Sequence, residues 1–227
     1  MQENPFKTHG RRIGKALTQE RKDLLIETLP QYRIDLPELL GTHPDTFFST
    51  PYKAYWMEIG FGDGEHMLFQ ARRNQDVGII GCEPFVNGYA ALFKKMADQD
   101  AFQENIRIWT ANALPLLEKF QDHTLSRIDL LFPDPWPKSR HHKRRFITPE
   151  TLQLLHRVLK PAGEFRIATD HVGYQHWVET QMAACPLFER DLSQDLLTEP
   201  QDWTRTKYQQ KALREGRVPH FYRFIAK

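Results

Sequence analysis

The stretch Glu58-Ile59-Gly60-Phe61-Gly62-Asp63-Gly64-Glu65 decides the fold. It follows an apolar and aromatic run and precedes an amphipathic segment, so it reads as the turn from a buried strand into a helix. Glycines at alternate positions allow a sharp turn and, lacking Cβ, let the backbone approach a ligand closely. The same glycines would also serve a plain tight strand-to-helix connection. A dinucleotide fingerprint needs its third glycine where Glu65 stands. Glu58, Asp63 and Glu65 crowd the turn, which disfavours a pyrophosphate and favours a cationic or neutral ligand.

Outward from this turn, short apolar runs alternate with longer amphipathic segments, the pattern of a parallel α/β sheet. Strands are expected near 54–59, 77–82, 106–110, 127–132 and 164–169, and helices near 65–74, 85–98, 112–120, 149–159 and 172–184. Further strands near 187–191 and 220–226 flank a polar, basic segment without clear period, which reads as a functional loop. Residues 1–52 read as an N-terminal arm with one short helix, capped by Thr18 and ended near Leu29 by Pro30. Residues 53–227 form the main domain.

Bulk properties exclude several classes. The 227 residues are 40% hydrophobic and 26% charged, which suits a soluble globular chain. No apolar run is long enough for a membrane span, and the N-terminus has no leader-like apolar core, so a cytoplasmic protein without membrane association is expected. Cys82 and Cys185 lack metal or redox spacing and read as free thiols. With a net charge of +2, a nucleic-acid signal must come from local clusters.

Two more carboxylates complete a ligand site. The second strand ends at Cys82-Glu83-Pro84, which sets Glu83 where paired ribose hydroxyls can be gripped by hydrogen bonds. The sulfonium and amino group of S-adenosylmethionine suit such an acidic turn. Asn112, after the third strand, either reads an adenine edge or caps the following helix. The fourth strand leads into Pro133-Asp134-Pro135-Trp136-Pro137, where three prolines stiffen the loop and Asp134 falls at the carboxyl end of the sheet. Asp134 is a candidate catalytic group, with a turn-stabilising aspartate as the bland alternative.

From Lys138 to Arg145, five of eight residues are Lys or Arg, two are His and none is acidic, which suits a phosphate backbone or a solvated face. His141 and His142 lack convergent ligands, so no metal is expected. Lys7, Arg11, Arg12 and Lys15, and Arg205, Lys207, Lys211, Arg214 and Arg217, are further basic groups that could widen this surface.

These residues resemble the bacterial tRNA (guanine-N7-)-methyltransferases. The likeness runs from Met57 onward through EIGFGDGE, Glu83, PDPWPKSRHHKRR, Ala168-Thr169-Asp170 and Thr206-Lys207-Tyr208-Gln209. It implies a doubly wound, seven-stranded, Rossmann-like fold of the class I S-adenosylmethionine-dependent methyltransferases, with one reversed strand. The implied target is N7 of guanine 46 in the tRNA variable loop, with S-adenosylhomocysteine as by-product and no obligate protein partner. Carried over by position, Glu58, Gly60, Gly62, Glu83, Asn112 and Asp134 contact the cofactor. Lys138, Asp170, Thr206, Lys207, Tyr208 and Gln209 contact the substrate, and Arg140, His141, His142, Lys143, Arg144 and Arg145 meet RNA. Two departures stand out: many members carry Asp at the position of Asn112, and Lys211-Ala212 replaces a common Arg-Gly. Methylation of another substrate, a non-catalytic RNA-binding module and a dehydrogenase are the competing readings. The last is weakened by Glu65, and the second by the joint presence of Glu58, the glycines, Glu83 and Asp134.

Overall fold

The computed structural model describes residues 12–100 and 102–227. Among them, seven strands form one sheet: β1 (Ala54–Ile59), β2 (Val77–Cys82), β3 (Ile106–Trp109), β4 (Leu125–Leu131), β5 (Leu159–Thr169), β6 (Phe188–Arg190) and β7 (His220–Ala226). Their order is β3-β2-β1-β4-β5-β7-β6. All pairings are parallel except those of β7, which runs antiparallel to both β5 and β6. The buried strands, such as β2 with every residue covered, are the near-continuous apolar runs that a sheet packed on both faces requires.

The helices are α1 (Gln19–Tyr32), α2 (Glu65–Arg73), α3 (Val86–Asp98), α4 (Ala113–Lys119), α5 (Pro149–Val158), α6 (Val172–Ala183) and α7 (Lys207–Arg214). α5 starts with a reciprocal capping box, the Thr148 hydroxyl accepting from the Thr151 amide while Thr151 accepts from that of Thr148. Two helical elements depart from expectation. α1 runs through Pro30 to Tyr32, because only its last turn follows the proline and the one amide bond lost is that to the carbonyl of Ile26, a residue on the exposed side of the helix. α7 lies within the segment read as a loop; its inward face holds Gln209 beside Ala212, so no apolar period marks it.

The segment before the sheet is not detached from it. Tyr32, Ile34 and Phe48 are buried, and the Ile34 amide donates to the Ile108 carbonyl at 2.8 Å, extending the β3 edge. No helix among the described residues is long and apolar enough to cross a membrane.

Candidate active site

Strand order reverses direction between β1 and β4, and ligands of open α/β sheets bind outside the carboxyl ends of the strands at such a point. A cleft of about 510 Å³ opens there. Its walls come from the glycine turn after β1, Glu83 after β2, Asn112 before α4, the proline loop after β4, and Tyr208 of α7.

The glycine turn is bound to the end of β2 by the Gly60 amide, which donates to the Cys82 carbonyl at 2.7 Å. Glu83 is thereby brought beneath the turn. Its two carboxylate oxygens accept from the Gly62 amide and the Phe85 amide, each at 2.8 Å. Only 8% exposed, the carboxyl is pushed up to about 7 by burial, against the pull of those two hydrogen bonds. Each oxygen retains lone-pair capacity toward the cleft for a diol.

Asn112 caps its helix, as one of its two expected roles requires, and its place on the cleft wall leaves the adenine-edge role open. Its Oδ1 accepts from the Leu114 amide at 3.0 Å and caps α4, while the residue also lines the cleft.

The proline loop is held at both ends. The Phe132 amide donates to the Ala168 carbonyl at 2.7 Å, and the Arg145 Nε donates to the Pro135 carbonyl at 3.0 Å. Phe132 and Trp136 take φ of +49° and +43°, conformations that cost a non-glycine residue roughly 1–3 kcal/mol and persist where surroundings enforce them. Between them, Asp134 opens onto the cleft; the residue is exposed as a whole, and the partial desolvation of its carboxyl there holds its pKa above the ordinary aspartate value.

The basic run forms a tight helical turn, Ser139–Arg144, on the rim. Lys138, Arg140 and Lys143 are exposed. Arg144 stacks over the Trp136 ring at 5.0 Å, and His141 meets the same ring edge-on. Desolvation and the neighbouring Arg144, Arg140 and Lys138 hold the His141 pKa below its usual value, favouring the neutral ring. His142 packs against Trp177. Arg145 departs from the rest of the run. It is 5% exposed, its guanidinium faces the Trp177 and Tyr174 rings, and it donates to the Gly173 carbonyl at 3.3 Å, so it braces the loop and is not open to a phosphate.

Of the Thr206 to Gln209 stretch, two residues face the glycine turn. Lys207 pairs with Asp63, and the Tyr208 ring rests on Gly62. Thr206 caps α7, and Gln209 is turned inward to Trp203 and Glu199. Asp170 pairs with Arg217. Glu58 does not line the cleft: it is 3% exposed and bound to His66 Nδ1 at 2.8 Å behind the turn.

Lys7 and Arg11 lie outside the described residues. Arg12 and Lys15 belong to a segment docked on the first turn of α3, where the Gly14 amide donates to Asn87 Oδ1 and the Val86 amide to the Arg12 carbonyl. Phe85, at that turn, belongs to the cleft wall. Sequence reading missed Asp202, Arg127, Arg166 and His66, which form a polar cluster behind the site. The signal available was the Arg127-Ile128-Asp129 alternation inside an otherwise apolar strand.

This sheet order, with its single reversed strand and a cleft at the switch point, defines a class I S-adenosylmethionine-dependent methyltransferase fold. The 16S rRNA methyltransferase KamB shares it, with a TM-score of 0.59 at 16% identity over 83% of this chain and 98% of that one. Residues 53–221 match the family described as "Putative methyltransferase". The tRNA (guanine-N(7)-)-methyltransferase of Azorhizobium caulinodans is 43% identical over 95% of this chain and 93% of its own length. That of Paracoccus denitrificans is likewise 43% identical over 95% and 93%. The chain belongs to the tRNA (guanine-N7-)-methyltransferase family.

Proposed function

We propose that this protein transfers a methyl group from S-adenosylmethionine to N7 of guanine 46 in the variable loop of tRNA, working in the cytoplasm. The observation that carries this reading is the joint presence, in one cleft, of Glu83 and Asp134 with Trp136 and Arg144 of the basic rim. Residues 53–227 carry the chemistry in this reading, and residues 1–52 support it.

The cleft suits the cofactor chemically. Its volume of about 510 Å³ falls within the usual range for small-molecule sites, and Glu83 presents a desolvated carboxylate to a diol. Glu83, Gly60, Gly62, Asn112 and Asp134 would hold it. When bound, S-adenosylmethionine supplies an electrophilic methyl on a positively charged sulfur, and S-adenosylhomocysteine remains.

Guanine N7 carries an in-plane lone pair and no proton, so the reaction asks for alignment and charge stabilisation instead of a general base. As the N7–carbon bond forms, the purine ring becomes positive. An ionised Asp134 stabilises that charge and accepts hydrogen bonds from the guanine amino edge. Reaching N7 in folded tRNA requires the nucleotide to swing out of its tertiary contacts, and Trp136 and Tyr208 offer stacking faces at the cleft. Lys138, Arg140 and Lys143 meet the backbone at the rim. In this reading Asp170, paired with Arg217, contacts the substrate.

The test is incubation of the protein with methyl-labelled S-adenosylmethionine and bulk tRNA, followed by nucleoside analysis. Label in 7-methylguanosine, lost when guanine 46 is replaced in a single transcript, is the expected result. Label in another nucleoside overturns the reading.

A further inference from the structure

One face of the sheet carries charge where a core is normally apolar. Glu58 of β1, Arg127 and Asp129 of β4, and Arg166 of β5 lie side by side, since Glu58 is in register with Asp129 and Asp129 with Arg166. Arg127 is 2% exposed and donates to Asp129 at 2.9 Å. His66 of α2 joins this cluster. Its Nε2 faces two donors, Gln70 Nε2 at 3.1 Å and Arg127 Nη2 at 3.4 Å, so its proton resides on Nδ1 and goes to Glu58.

The segment 191–206, which contains no helix or strand, lies over this face. Ordering such a segment costs conformational entropy that anchors must offset. A cavity of about 370 Å³ separates part of it from β5 and β7, while Leu196 and Trp203 pack on the core. The segment is tied to β7 by the Phe221 amide, which donates to the Leu196 carbonyl at 2.8 Å, and by Asp191, which pairs with Arg223. Asp202 ties it to the charged face, its carboxylate accepting from Arg166 Nη1 at 2.8 and 3.0 Å and from Arg127 Nη1 at 3.0 Å, and its carbonyl from Gln70 at 2.5 Å. Trp203 follows, packed between the His66 and Phe221 rings at centroid distances of 5.0 Å. The indole N–H of Trp203 then donates to Oε1 of the buried Gln209 at 2.7 Å. Gln209 is the neighbour of Tyr208 in α7.

We infer that Asp202 and Trp203 are positioning residues: the charged sheet face fixes Asp202, and Trp203 fixes the start of α7, so that Tyr208 is held on the glycine turn. Neither residue lines the cleft. Two polar links thus join the sheet interior to the cleft wall that Tyr208 forms. The functional consequence rests on the cleft being the S-adenosylmethionine site.

The test uses the full chain with Trp203→Phe, which keeps an aromatic ring between His66 and Phe221 and removes the indole donor with part of the ring, alongside Asp202→Asn and Tyr208→Ala. Trp203→Phe is expected to weaken S-adenosylmethionine binding by about threefold to tenfold, the scale of one lost neutral hydrogen bond. Added to Tyr208→Ala it is expected to cause no further loss, because it acts through that residue. Additive losses in the double variant overturn the inference. Hydrogen exchange gives a readout that needs no cofactor: amides of 60–64 and 207–214 are expected to exchange faster in Trp203→Phe, with β1 and β4 unchanged. Unaltered exchange there overturns the inference as well. Wild-type protein that binds no S-adenosylmethionine would count against the proposed function alone, leaving the exchange result to decide the positioning role. Should Asp202→Asn not fold, Trp203→Phe carries the test.

Discussion

The ring of Tyr208 rests against Gly62 so closely that a methyl group on the glycine would stand 2.9 Å from Cε2. Gly62 also has φ of +57°, a left-handed conformation that costs other residues roughly 1–2 kcal/mol. Gly62→Ala is therefore expected to lower stability by more than that amount, since the methyl must also displace Tyr208. Gly60→Ala, at φ of +72° but with no atom within 4 Å of the new methyl, is expected to show the backbone cost alone. Urea midpoints of the two variants check this, with Gly62→Ala the lower.

Glu83 is the buried carboxylate of the cleft, and Glu83→Ala is expected to weaken S-adenosylmethionine binding by about tenfold to a hundredfold. That range corresponds to charge-assisted hydrogen bonds worth roughly 1.5–3 kcal/mol. Calorimetry on the folded variant measures it, and wild-type affinity there would remove Glu83 from the ribose site.

The same residue predicts a pH dependence. With its pKa pushed up to about 7 by burial, Glu83 in the ligand-free protein is increasingly protonated as the pH falls below that value. Binding a cationic ligand favours the ionised form, so affinity is expected to be full well above pH 7 and to drop by up to about tenfold per unit below it, with one proton released on binding. Titration from pH 5.5 to 8.5 reads the slope, and Glu83→Gln is expected to flatten it.

On the rim, Arg140→Ala and Lys143→Ala are expected to weaken tRNA binding and to reduce the slope of log affinity against log salt by roughly 0.7–0.9 for each phosphate no longer neutralised. Cofactor affinity stays unchanged. Arg145→Ala is expected to behave otherwise, because its buried guanidinium serves the Pro135 and Gly173 carbonyls: stability falls by roughly 1.5–3 kcal/mol for each charged hydrogen bond removed. A salt titration of tRNA binding together with thermal melting separates the two classes.

Asp134→Asn is expected to cut single-turnover methylation at least about a hundredfold, the scale of removing one preorganised electrostatic partner. Saturating cofactor and tRNA isolate the chemical step. Because desolvation raises the Asp134 pKa, the acid-side loss of rate in the wild type is expected at a pH above the ordinary aspartate range, as protonation removes the charge. Full single-turnover activity in folded Asp134→Asn would pass the role to alignment by the rest of the loop.

The five strands and five helices expected around the glycine turn fall within about two residues of their observed bounds, since alternation of buried and exposed positions is a local property of the chain. The exception is β5, which starts at Leu159, five residues early, because Leu159 pairs with Leu125 across a register shift that only the neighbouring strand reveals. α7 escaped that reading because its buried face uses Gln209, whose amide is satisfied by Trp203 and Glu199, where a period search looks for an apolar side chain. The same limit applies to Pro30, whose cost depends on how much helix follows it.

Sequence alone determined the sheet's parallel frame, the glycine turn at residues 58–65, and the placing of Glu83 and Asp134 at strand ends that must converge on one crevice. Those conclusions need only local pattern and the rule that parallel strands share a carboxyl edge. Tertiary structure alone decided which charges meet. Glu58 is spent on His66, Arg145 on the loop it was expected to flank, and Lys207 on Asp63. A residue's type states that it needs a partner of opposite polarity if buried, but only the packing of segments distant in sequence selects that partner, and with it whether the group faces RNA, cofactor or core.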